Sequence, residues 1–210
     1  MAPMRFPTLL ILSFLYPSFG HAAPGSLERD VARLGVKAKL AGMVAEDQAL
    51  RQGSTDLLKL GHSFGEVFSH RGLAKAIQTV DRSNTLALKK IVQRWGWVTI
   101  SKFGPIASDN AWIIAQHADH DVEFQEAALA LMTKALENND VDRGKAAYLW
   151  DRVKVNRGLP QRYGSQGTCK GKGKWEPRPL EDGRKLDEFR SSAGLPPFAD
   201  YLAQVSPMCQ

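Results

Sequence analysis

Apolar residues recur at spacings of three and four along nearly the whole of this chain, a period that commits it to packed helices. Leu27, Val31 and Leu34, then Leu40, Met43 and Val44, keep that period after Ser26, the expected N-cap of a long first helix. Gly53-Ser54-Thr55 is expected to end it, with a further helix over residues 56–69. Asp81-Arg82-Ser83-Asn84 is expected to open the next, whose apolar face is Leu86, Leu88, Ile91, Val92 and Trp95 and whose stop is Gly96. Asp109 is the expected cap of a helix through Ala111-Trp112-Ile113-Ile114-Ala115, apolar on every side and so central. Asp121 and Asp142 are expected to cap two more. Strand signals are confined to residues 97–101 and the neighbourhood of Tyr163. Residues 167–174, rich in glycine and lysine, read as a flexible loop, followed by a short helix over 187–193 and a docked tail over 195–202. The expected fold class is all-α: a single helical domain with a loop-rich C-terminal tail and no internal repeat.

Arg5 is the only charge before Glu28, and an apolar run from Phe6 to Phe19 meets Gly20-His21-Ala22-Ala23-Pro24. Residues 1–23 therefore read as a secretory signal peptide. The run is shorter than the roughly 20 residues of a spanning helix, and Pro7 and Pro17 interrupt it. The expected product is periplasmic or secreted, with no transmembrane segment after cleavage. Within it, residues 24–80 form an N-terminal helical segment packed on a core of residues 81–168. Residues 169–210 add a basic loop and tail to the same domain.

The formal charge of +6 is uneven. Between Arg152 and Arg178 eight basic residues face one acid, Glu176, and the rest of the mature chain is slightly acidic. Such a run is either a solvated loop or a patch for a phosphate-bearing ligand or an anionic envelope polymer. Nucleic acid is not the expected partner. The two cysteines, Cys169 and Cys209, are expected to pair in an oxidising compartment, two buried thiols being the alternative.

Three clusters put chemistry within fifty residues: Gln116-His117-Ala118-Asp119, Tyr148-Leu149-Trp150-Asp151-Arg152, and Gly158 to Gln166. With Asp47-Gln48, Arg51, Gly96-Trp97, Phe124-Gln125, Arg190, Gly194-Leu195 and Tyr201, they resemble the bacterial family known as domain of unknown function 6624. Val98 stands where that family tends to carry proline, and Ser165 where it usually has threonine. The resemblance implies an α-rich fold and marks residues. It implies no activity.

His117 falls at the last turn of the central helix, where it serves either as a general acid or base or as a core histidine bonded to the first helix. At 100° per residue, Ala146, Leu149, Trp150 and Val153 form one stripe of their helix, while Tyr148, Asp151 and Arg152 fall on the other side with Val155. That second face either meets water or lines a polar contact. Gln161, Tyr163 and Gln166 sit on the Gly- and Pro-punctuated loop that follows. His117 has helical ligand spacing to His120 and to Asp121, but Asp121 is better explained as a cap, and the two-histidine metalloprotease pattern is absent. No metal and no cofactor are expected. Ser165 lacks the strand and spacing of a nucleophile elbow.

The resulting expectation is a hydrolase acting on an anionic cell-envelope component. His117 would transfer protons, Asp151 would orient it, and Arg152 would hold substrate charge. Gln116, Asp119, Tyr148, Gln161, Tyr163 and Gln166 would position the substrate. The alternatives are a non-catalytic module binding an envelope polymer or partner protein through the same surface, and a structural network of Asp47, Arg51, His117 and Asp151.

Overall fold

The computed structural model describes residues 25–62, 66–67 and 70–209, so the expected signal segment lies outside the described residues. Helix α1, Ser26–Lys59, runs straight through Gly53. Buried Ser54 turns its hydroxyl back onto the Leu50 carbonyl at 3.0 Å, satisfying the group without breaking the turn. Ser26 is the first helical residue rather than a cap. Helix α2, Arg71–Trp95, begins ten residues before Asp81, capped by the His70 ring, which accepts from the Leu73 N–H. It ends as expected at Gly96, whose φ of 73° suits a residue without a side chain.

A short helix α3, Ile100–Phe103, replaces the strand expected at residues 97–101. Trp97 and Val98 are instead buried in the connection before it. Helix α4, Pro105–Gln116, starts with proline in the first turn, where no N–H partner is needed. Asp109 lies inside α4 and pairs with Lys145 instead of capping. Asp121 and Asp142 do cap α5, Val122–Leu136, and α6, Arg143–Asn156. They accept from the Phe124 N–H at 3.1 Å and the Lys145 N–H at 2.8 Å.

Helix α4 is central, as its all-round apolar character requires. It packs on α1, α2, α5 and α6, and its small Ala107, Ala111 and Ala115 share one buried apolar cluster with Leu40, Leu88, Met132 and Leu149. Each large apolar side chain fully buried there stabilises the fold by roughly 1.5–3 kcal/mol.

The glycine- and lysine-rich segment is not a loop. It forms an antiparallel hairpin, β1 (Gly167–Gly171) with β2 (Lys174–Pro177), in which Cys169 pairs with Trp175. Cys169 and Cys209 form a disulfide with Cα atoms 5.4 Å apart. Beyond the hairpin come α7 (Leu186–Ser192), α8 (Phe198–Val205) and a 3-10 turn over Ser206–Met208. Arg190, fully buried, clamps this tail by donating to the Pro196 and Tyr163 carbonyls and lying 4.8 Å over the Tyr201 ring. A file of rings, Trp112–Tyr148–Tyr201–Trp175, spaced 6.3, 6.2 and 5.7 Å, joins α4 to the hairpin. No described helix is long and apolar enough to cross a membrane.

Candidate functional site

Helices α1, α2 and α4 meet at one polar junction. The spacing of four residues puts Asp47 and Arg51 on one face of α1, where the Arg51 Nε donates to Asp47 at 2.9 Å. The same guanidinium reaches α2, its Nη2 donating to Asp81 at 2.7 Å. His117 is the C-cap residue of α4, and its ring Nδ1 lies 3.1 and 3.0 Å from the two Asp47 oxygens. Gln48 adds a further bond to Asp47 at 2.7 Å. The Asp47 side chain is 4% exposed and that of His117 21%, so the acid is shielded and the ring reaches solvent.

Burial raises the Asp47 carboxyl, but the His117 bond and charge, the Arg51 charge and the Gln48 amide together lower it from 3.8 to about 2. Burial dominates at Asp81, which stays above its ordinary value despite Arg51. A carboxyl depressed on folding stabilises above its unfolded value, and that stability is lost as pH falls through about 2. Asp47→Asn is therefore expected to cost about 2 kcal/mol at neutral pH, with the gap to wild type closing between about pH 4 and pH 2. Urea unfolding across that range checks it; a gap independent of pH rejects it.

A second network begins two residues beyond His117. Arg152 on α6 grips Asp119 through Nε at 2.8 Å and Nη2 at 2.7 Å, a bidentate pair, and donates from Nη1 to Gln166 at 2.9 Å. Asn156 and Gln125 also donate to Asp119, and burial notwithstanding these bonds hold its carboxyl below the usual range. Gln166 in turn donates to the Ser165 hydroxyl.

Asp151 is not the partner of His117. It is fully buried and accepts from the Arg162, Tyr163 and Ser165 N–H groups and from the Ser165 hydroxyl, at 2.8–3.0 Å. Burial pushes its carboxyl up while the four donors pull the other way. The orienting position expected for it is held by Asp47, because α1 and not α6 faces the imidazole. Arg152 likewise spends its donors on Asp119 and Gln166, so the cation beside His117 is Arg51.

The expected positioning residues divide. Gln161 is fully buried, its amide bonded within the loop to Gln166 and to the Arg178 carbonyl. Tyr148 is half-buried between Trp112 and Tyr201. Tyr163 lies edge-on to Trp150 and lines a cavity of about 500 Å³ between α5, α6 and α7, away from the imidazole. Gln116, Asp119 and Gln166 remain around the α4 terminus, and the Gln116 Oε1 is buried without a hydrogen-bond partner among the described residues.

Asp47, Asp81 and His117 offer donor atoms within 4.8 Å of one another, close enough for a metal ion. Yet both Asp47 oxygens already accept from protein groups, and the Arg51 guanidinium supplies positive charge between the two acids. A metal would have to displace those bonds. The proton-transfer arrangement needs no such rearrangement. Asp81 was not legible as a site residue, since Asp81-Arg82-Ser83-Asn84 reads as a helix start. The i, i+4 spacing of Asp47 and Arg51 is the signal that could have pointed to this junction.

The family model for the "family of unknown function (DUF6624)" matches residues 35–207. The chain belongs to this family. The matched span takes in both networks, from Asp47 to the closing Tyr201. No curated protein and no solved structure matches the chain.

Proposed function

We propose that this family member is an exported hydrolase acting on an anionic component of the cell envelope, with His117 as the proton-transfer residue. One observation carries the reading. The imidazole is held at Nδ1 by a shielded carboxylate, while Nε2 has no partner among the described residues on a ring that reaches solvent. In that arrangement Nε2 takes a proton from an attacking water as its oxygen bonds to the substrate, and Asp47 stabilises the imidazolium formed. The proton then passes to the leaving group as its bond breaks. Arg51, with a side chain 32% exposed and Nη1 unpaired among the described residues, faces substrate negative charge. Export rests on the residues 1–23 pattern, and the Cys169–Cys209 bond suits an oxidising compartment.

The test is a hydrolysis panel of phosphomonoesters, phosphodiesters, esters and cell-wall fragments, run on wild type and His117→Gln side by side. Turnover by wild type that disappears in a folded variant supports the reading. Equal turnover by the two proteins, or a wild type inert on every member, overturns it.

A further inference from the structure

The structure sorts the eight basic residues between Arg152 and Arg178 into two sets. Arg152 is paired with Asp119, Arg157 with Glu123 and Glu126, Arg162 with Glu181, and Lys154 lies 4.9 Å over the Trp150 ring. Those four charges are spent inside the protein. Lys170, Lys172, Lys174 and Arg178 are exposed and have no side-chain partner among the described residues. All four lie on or beside the hairpin, whose single acid is Glu176.

That hairpin is fastened from behind. Cys169 is bonded to Cys209, its cross-strand neighbour Trp175 packs edge-on against Tyr201, and the Gly173 N–H donates to the Cys209 carbonyl at 2.6 Å. Strand alternation turns Lys174 to the side opposite Trp175, and Lys170 is the extra residue at the register shift between Cys169 and Gly171. The same anchoring brings Met208, 67% exposed, within one residue of the carbonyl that holds the tip. Unpaired lysines around an exposed apolar side chain are the composition of a membrane-surface contact.

We infer that the hairpin tip with Met208 is a docking surface for a bilayer rich in anionic phosphate headgroups. Lysines are compact, hydrated charges suited to a fluid layer of phosphates, whereas the planar arginine forks suited to fixed recognition are here mostly consumed internally. An exposed tip can meet a plane. A linear polyanion is better held in a groove with exposed rings to stack on, and the hairpin tryptophan is half-buried. The inference is independent of the role given to His117.

Vesicle co-sedimentation of the full chain tests it, with phosphatidylglycerol vesicles against neutral phosphatidylcholine ones. Each lysine near an anionic surface strengthens association about fivefold, so replacing Lys170, Lys172 and Lys174 together by glutamine is expected to weaken binding roughly a hundredfold. Met208→Ser is expected to weaken it about fivefold at either charge density. Thermal melts of both variants should match wild type, since none of these side chains is packed. Equal binding to the two vesicle types overturns the inference, as does a lysine variant that binds like wild type. Capture by soluble polyphosphate without vesicle binding overturns it too, and assigns the surface to a soluble anion.

Discussion

Asp151→Ala is expected to destabilise the protein by roughly 3–5 kcal/mol, the loss caused by removing one partner from a buried, multiply bonded charge. The substitution strands three backbone N–H groups and one hydroxyl in the interior, and each unsatisfied donor costs roughly 1–3 kcal/mol before relaxation. Those donors belong to the loop from Arg162 to Ser165, which carries the Tyr163 carbonyl gripped by Arg190. Loosening the loop should therefore release the tail as well. Asp151→Asn keeps the shape and one acceptor oxygen, and should lose about half as much. Urea denaturation of the three proteins decides it. A loss below about 1 kcal/mol for the alanine variant would mean that other contacts hold the loop. The same measurement separates a scaffold acid from a catalytic one, since an orienting partner of His117 would lose turnover without losing stability.

His117→Gln is expected to lower kcat/KM by about 10²–10⁴, the range contributed by a positioned general acid or base. Glutamine is the informative replacement because its amide still donates to Asp47. The junction of α1, α2 and α4 then stays bonded while the transferable proton is gone. A melting temperature close to wild type is the expected companion result. A collapse of stability with little change in rate would show that the imidazole serves only to pin α4 onto α1.

The helical architecture was legible because its signals are local. Asp121 and Asp142 act as caps through atoms three residues away, and the burial of Ala146, Leu149 and Val153 follows from the helical repeat alone. Where packing overrides local preference, the reading failed. Gly53 and Ser54 look like a break, but α1 continues past them because the turn stays bonded and Ser54 is buried against the fold. Asp81 looks like a cap, but α2 had already begun at Arg71. The hairpin was hidden because it has few β-branched residues; a disulfide and Trp175 hold it rather than strand propensity.

The candidate site was legible in parts. Asp119 and Arg152 do pair, but among the described residues the His117 ring bonds to Asp47 and to neither of them. Helical angles place residues around one axis and do not say which neighbour they meet. Asp151 was assigned correctly to the face opposite the core stripe, and what meets it there is its own downstream loop.

The file of rings from Trp112 to Trp175 sets a geometric relation between the two regions argued above. Trp112 and His117 ride on the same rigid helix, about 8 Å apart along its axis. A molecule resting on its hairpin would thus carry the imidazole at a constant height and tilt, as a keel fixes the attitude of a hull, so reach above the supporting layer would be chosen by aromatic spacing and not by a hinge.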